Sequence, residues 1–179
     1  HINNNKKKDI IGFVGNYVKR KRPEIFFKFA EKISLKKKNN FRFIFIGSID
    51  DLSINKIYKK YPVLKKKLFF TKFVMNPYPL INQCKLIICP AKNEGFGRVP
   101  LEAGYLRVPS LISYSGGHKE FIKFNLCLFA KGNNEREYLK IYKKALDNNL
   151  RKKMIHNIFK YNKKFTIPNI HKNKVIKIY

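Results

Sequence analysis

The sequence predicts an α/β domain built on a Rossmann-like, doubly wound parallel sheet of about six strands. Three observations predict it. Short, nearly continuous apolar runs alternate with segments of helical period, as strands buried on both faces do when crossover helices join them. Glycine-bearing loops follow the runs at Gly15, at Gly95 and Gly97, and at Gly116 and Gly117. The chain has 179 residues, 44% of them hydrophobic, with no internal repeat and no Pro/Ser/Gly-rich linker, which suits one core.

The elements follow in order. "IIGFVG" (10–15) reads as a strand closed by glycine. Residues 23–38 place apolar side chains at 25, 26, 29, 30 and 33, a helical spacing, with Pro23 and Glu24 suited to a helix start. "FRFIFIG" (41–47) is a strand, 52–61 a short helix, "KLFFTKFV" (67–74) a strand and 77–84 a short helix. "KLIICPA" (85–91) is a buried strand, followed by a turn and a helix from about Pro100 to Leu106. "VPSLISY" (108–114) is the fifth strand, 115–124 a glycine loop with a short helix, and "LCLFA" (126–130) the last strand. Helices are predicted over 134–148 and 150–165. The domain is therefore expected to span 9–165, after a disordered lead-in at 1–8 and before a tail at 166–179.

Composition narrows the function classes. The 40 basic residues against 11 acidic ones give a net charge of +29. The lysines fall in many short runs between apolar segments, the distribution of solvated faces rather than of one nucleic-acid tract. No helix-turn-helix, RRM or OB pattern accompanies the charge, so no specific nucleic-acid partner is expected. Weak attraction to an anionic membrane fits the charge. The apolar runs are too short to span a bilayer, and no secretory signal precedes the first of them. Cys84, Cys89 and Cys127 form no CxxC pair and read as small apolar residues of a reducing compartment. A cytoplasmic location follows as the expectation, with peripheral contact at the inner face of the membrane.

The stretch "NEGFGRVPLEAG" (93–104) concentrates the chemistry. In a doubly wound sheet the ligand sits beyond the carboxyl ends of the strands, so the three glycine loops share one rim. Gly95 and Gly97 let backbone approach a ligand closely, and Pro100 fits a first helical turn. Amides near Phe96 to Val99 would then face outward at the positive end of a helix dipole, a site for phosphate or sugar hydroxyls. Glu94 and Glu102 flank that helix start, and carboxylates grip vicinal hydroxyls well. Hydroxyls at both ends with phosphate between them describe a nucleotide sugar. Lys21, in the run "KRKR" at 19–22, is a candidate cation for the charge that develops on a departing diphosphate. Its three neighbours read as a solvated run. His118, next to Gly116 and Gly117, is a candidate donor to a phosphate. The aromatic residues fall at helix or strand spacing and read as core, except Tyr17 in the loop after the first strand.

"CPAKNEGFGRVPLEAG" resembles the Glu-x7-Glu signature of retaining glycosyltransferases of the GT-B fold, closest to family 4, the glycosyl transferases group 1. "GFVGNYVKRKRPEIF" resembles the first strand and phosphate loop of the donor-binding, C-terminal half of those enzymes, and "YSGGHKEFI" the glycine pair and glutamate after its fifth strand. The resemblance runs from about Ile10 to Phe165 and leaves out the N-terminal, acceptor-binding half. It implies transfer of a sugar from a nucleotide-diphosphate sugar to a hydroxyl of a sugar or lipid-linked acceptor, with retention, in surface polysaccharide or glycolipid synthesis. No metal and no cofactor is implied. Glu94 and Lys21 would be catalytic. Gly15, Asn16, Phe96, Gly97, Arg98, Glu102, Gly116, Gly117 and His118 would bind the donor, with Glu102 on the ribose. Two positions depart from the family: Asn16 stands where an arginine is common, leaving Arg20, Arg22 or Arg98 to compensate, and Lys72 where glycine is frequent. The alternative expectation is a non-catalytic donor-domain remnant that serves as a binding or assembly module.

Overall fold

The computed structural model describes residues 9–36 and 39–161 of the chain. The predicted lead-in at 1–8, the tail at 166–179 and the end of the last predicted helix lie outside the described residues. The elements are β1 (Ile10–Val14), α1 (Pro23–Ser34), β2 (Arg42–Ile46), α2 (Asp51–Lys60), β3 (Leu68–Phe70), α3 (Tyr78–Gln83), β4 (Leu86–Cys89), α4 (Arg98–Tyr105), β5 (Ser110–Ser113), α5 (His118–Lys123), β6 (Leu128–Ala130), α6 (Glu135–Ala145) and α7 (Asn148–Tyr161). Two 3-10 turns, Lys19–Lys21 and Pro62–Lys66, were not predicted from the sequence.

The six strands pair in the order β3-β2-β1-β4-β5-β6, and every pairing is parallel. The order reverses between β1 and β4, which opens a crevice at their carboxyl ends. Alternation along β4 shows how one strand feeds two cores: Leu86 and Ile88 join the cluster under α1, α2 and α6, while Ile87 and Cys89 join the one under α3, α4, α5 and α7. The first cluster is rich in phenylalanine. Phe13 and Phe45 stack at 4.8 Å, and Phe26, Phe27, Phe43 and Phe70 close around them. Burial of rings this size contributes most of the stabilisation on that face.

Element ends differ from the expected ones for local reasons. α1 stops at Ser34, because beyond Ile33 the helical stripe meets only exposed Leu35 and lysine. β3 is three residues long, because Lys72 turns to a φ of 57°. α4 begins at Arg98, two residues before Pro100. Gly97 caps it at φ 72°, and the missing Pro100 N–H falls among the first four, which have no helical partner. Side chains hold other helix starts: Asp50 accepts from the Ser53 amide at 2.8 Å, and Asn134 from the Arg136 amide at 3.0 Å.

Lys72 generates a stability prediction. An L-residue in the left-handed region costs about 1–2 kcal/mol, glycine's extra chain entropy about 0.5–1, and an exposed ion pair is worth little. The Lys72–Asp51 pair is exposed. Lys72→Gly should therefore raise stability by about 0.5–1 kcal/mol, read as a higher urea midpoint with an unchanged slope.

Candidate functional site

The site is built from the loops that leave β1 and β4 on either side of the crevice. The chain leaves β1 at Gly15, whose amide donates to the Ile46 carbonyl at 2.9 Å, and winds through the 3-10 turn Lys19–Lys21. That turn aims Lys21 and Arg20 at the loop after β4. Lys21 Nζ lies 3.0 Å from both oxygens of Glu94, and Arg20 Nη1 lies 2.9 Å from Oε2. The Glu94 side chain is 13% exposed and that of Lys21 20%, so their pair is largely shielded; that of Arg20 is 52% exposed and its contact is correspondingly screened. Burial pushes the Glu94 carboxyl up, but hydrogen bonding and charge from Lys21, with charge from Arg20, outweigh it and hold the pKa below 4.5.

The loop that carries Glu94 is fixed from behind by the next loop along the sheet. The Gly117 amide donates to the Glu94 carbonyl at 2.8 Å, and the Asn93 amide donates to Ser115 Oγ at 2.8 Å. A Cβ on Gly117 would run into the Gly95 carbonyl oxygen, so only glycine permits this approach. From the other side the Lys92 amide donates to the Arg20 carbonyl at 2.8 Å. Ser113 Oγ donates to the Ala91 carbonyl, and His118 Nδ1 stands 3.1 Å from the same hydroxyl.

Two cavities open on this rim and share Val14 and Val99. The smaller, about 20 Å³, is lined by Lys21, Glu94, Gly97 and His118 among others. The larger, about 370 Å³, runs over Gly15, Asn16, Tyr78, Arg98 and Glu102, with Phe73 and Met75 on its outer wall. Glu102 is 8% exposed and sits in the second turn of α4 rather than the first. Burial raises the Tyr78 pKa, the Glu102 carboxylate adds to the rise, and Arg98 opposes it, so these three share one electrostatic neighbourhood. Asn16 Oδ1 accepts from the Ser48 amide at 3.3 Å.

The structure thus brings Lys21, Glu94, Gly97 and His118 to one cavity and Gly15, Asn16, Arg98 and Glu102 to its neighbour. Several expectations are corrected. Gly116 and Gly117 line neither cavity; they back the Glu94 loop. Tyr17 is core-edge packing rather than an exposed platform: its ring lies 6.3 Å from Phe27 and 6.5 Å from Phe45, and its hydroxyl donates to Glu24. Arg20 and Arg22 are not simply solvated, since Arg20 holds Glu94 and Arg22 Nη1 donates to Asn133 Oδ1 at 2.8 Å. Phe96 is half-exposed, its ring edge-on to buried Phe121. Sequence reasoning missed Ser113, Ser115 and Asn93. The signal for the two serines was the run "SYSGG" at the end of a strand. Among the described residues no group of three or more His, Cys, Asp or Glu is arranged to hold a metal ion, and the three cysteines are buried. Among the same residues no helix is long and apolar enough to cross a membrane.

Residues 1–164 match the family described as glycosyl transferases group 1. The chain belongs to that family. Its sheet is the Rossmann-like C-terminal half of a GT-B fold. This group 1 domain is 30% identical over 152 residues to the capsular polysaccharide biosynthesis glycosyltransferase CapM of Staphylococcus aureus, covering 83% of the chain and 40% of CapM. It therefore spans well under half the length of that curated relative. The crystal structure of HepE from Anabaena in complex with UDP superposes with a TM-score of 0.75 at 15% identity, over 96% of this chain and 49% of HepE. The crystallised C-terminal domain of LpcC from Francisella tularensis gives 0.73 at 21% identity, over 90% of this chain and 88% of that domain.

Acid should destabilise this group 1 domain in two stages. Burial lowers the His118 pKa below 6.5, ahead of an opposing effect of Glu94. The unfolded state then binds more protons, so the stability that His118 contributes above pH 6.5 is lost as pH falls towards its folded value. The depressed Glu94 carboxyl contributes stability above 4.5 that is lost as pH falls through its own folded value. Urea midpoints measured from neutral pH downward should decline first below 6.5 and again below 4.5.

Proposed function

We propose that this chain is the donor-binding half of a retaining glycosyltransferase. It moves a sugar from a nucleotide-diphosphate sugar to an acceptor hydroxyl in surface polysaccharide or glycolipid synthesis. One observation carries the reading: the shielded Lys21–Glu94 pair stands at the switch point of the sheet, beside the cleft that Glu102 lines. Ribose hydroxyls donate to Glu102, sugar hydroxyls to Glu94, and the diphosphate meets Lys21 and the amides at the start of α4. The relatives support the class, since CapM is named for capsular polysaccharide biosynthesis and HepE is seen with UDP.

The site holds its charges in a form that a ligand can exchange. Lys21 and Glu94 compensate each other, and removing either would leave a shielded charge unpaired. A nucleotide sugar offers hydroxyls for the carboxylate and phosphates for the ammonium in one molecule, so both groups change partner together. When the bond between the anomeric carbon and the diphosphate breaks, negative charge grows on the leaving group. Lys21 and the helix amides are aimed at that charge. The acceptor oxygen bonds to the same face of the sugar as the C–O bond to the diphosphate breaks, and its proton passes to the departing diphosphate, which keeps the electron pair of the broken bond. Positive charge on the protein does the neutralising in this scheme, with no metal required. The net charge of +29 supports peripheral contact with anionic headgroups at the inner face of the membrane, where such acceptors would be presented.

A second reading, a donor-domain remnant that binds without catalysing, is favoured by Asn16, a neutral residue in the larger cleft. Supplying an N-terminal half from a related enzyme and assaying transfer separates the two.

The donor site is tested by calorimetric titration with UDP, GDP and their sugars. At least one nucleotide should bind, and Glu102→Ala should weaken it by about tenfold or more, the worth of a charge-assisted hydrogen bond, with the fold retained. Failure of every nucleotide to bind the folded chain would overturn the assignment.

A further inference from the structure

A single hydroxyl decides which nitrogen of His118 carries a proton. Ser113 Oγ has one proton and donates it to the Ala91 carbonyl, which can only accept. Towards His118 Nδ1, 3.1 Å away, the same oxygen is therefore the acceptor, and Nδ1 must be the protonated nitrogen. Burial keeps the ring neutral by lowering its pKa, so Nε2 is left with a bare lone pair.

That lone pair sits in an unusual place. His118 is 1% exposed, and among the described residues no donor reaches Nε2. The ring edge lies under Gly97, where a Cβ would stand 2.8 Å from Nε2, and it borders the small cavity it shares with Lys21 and Glu94. A volume of about 20 Å³ is the room of one water or one hydroxyl. An acceptor facing a cavity of that size gains a hydrogen bond from a group that enters with a proton to give.

We propose that His118 Nε2 accepts a hydrogen bond from one hydroxyl of the transferred sugar, beside those held by Glu94, and so selects a donor sugar that carries a free hydroxyl at that position. The inference rests on the reading of the cleft as a nucleotide-sugar site. It reverses the expected role of His118, because an unprotonated Nε2 repels phosphate oxygens and a phosphate has no proton to offer it at neutral pH. His118 acts here as a specificity residue, distinct from the charge pair that faces the leaving group.

The test uses the full chain, with UDP, GDP, UDP-glucose, UDP-N-acetylglucosamine and GDP-mannose as probes. Mono-deoxyfluoro analogues of the tightest sugar nucleotide are added, since fluorine accepts but cannot donate. His118→Asn keeps a donor near Ser113 but does not reach the cavity. The sugar nucleotide should bind this variant about three- to tenfold more weakly, the range of one neutral hydrogen bond, while the bare nucleotide is unchanged. One fluoro analogue should lose the same factor on the wild-type chain and nothing further on the variant. Equal effects on nucleotide and sugar nucleotide, or no effect on either, would overturn the proposal, leaving the cavity to a water. Should no nucleotide bind at all, the functional reading fails on its own account. Long-range proton–nitrogen NMR of the imidazole then decides the tautomer: a proton on Nδ1 upholds the open acceptor, and a proton on Nε2 removes it. The NMR and fluoro-analogue arms on the wild-type chain also decide the matter if the variant does not fold.

Discussion

A shielded carboxylate held between two cations joins the two halves of this sheet where its strand order reverses. Glu94 leaves β4, Lys21 and Arg20 leave β1, and their contacts at 2.9–3.0 Å span sequence separations of more than 70 residues. In a chain with 40 basic and 11 acidic residues, a carboxylate is in demand wherever cations converge. Without Glu94, Lys21 would stand against a low-dielectric wall of Phe13, Val14 and Cys89 with its charge uncompensated. Without Lys21, the more exposed Arg20 would be left to oppose burial, and the pKa of the carboxyl would rise.

The pair keeps its geometry because the loop beneath it cannot shift. The Glu94 carbonyl accepts from the Gly117 amide, while Asn93 and Ala91 on the same loop are tied to Ser115 and Ser113. These bonds run from one strand-end loop to the next, so the position of the carboxylate is inherited from the spacing of β4 and β5. Groups held this way need little reorganisation when a ligand arrives, which is what makes fixed charges effective at a reacting centre. The glycines serve that end indirectly: Gly117 lets two backbones meet, and Gly97 makes room for the His118 ring while starting α4 in a left-handed turn.

Much of this was legible in the sequence, and the limits were physical. The six strands and their parallel arrangement followed from short apolar runs such as "FIFI" and "LIIC", because a strand buried on both faces leaves no polar alternation to misread. Boundaries were less legible: the start of α4 depends on the φ of Gly97 and the end of β3 on that of Lys72, and no periodicity encodes either. Among site residues, the two glutamates stood out by type and spacing, and Lys21 by its place in the stretch that resembles the family's phosphate loop. The Lys21–Glu94 contact did not, since it depends on which strands are neighbours. Gly116 and Gly117 were read as ligand contacts because glycine signals close approach without saying to what, and here it is the protein's own backbone. Ser113 was silent for the opposite reason. A serine at a strand end is ordinary, and its role exists only through the Ala91 carbonyl and the His118 ring.

On the proposed function, the larger cleft also explains why binding and turnover should be separable in this chain. One wall is built: Gly15, Asn16, Tyr78 and Glu102 sit on a rigid sheet and on α3 and α4. The other side is bare, with Phe73 at 74% and Met75 at 90% exposure standing at the edge of the cavity. Apolar groups of that size left in water are suited to meeting a ligand or a second surface. Binding of a nucleotide needs the built wall. Transfer to a hydroxyl needs water kept away from a reactive anomeric carbon and an acceptor held within about 3–3.5 Å of it. A half-open cleft supplies neither, however well Glu94 and Lys21 are placed. On the proposed function, this domain sets the donor and its leaving group, while the surface that covers Phe73 and Met75 governs rate and acceptor choice.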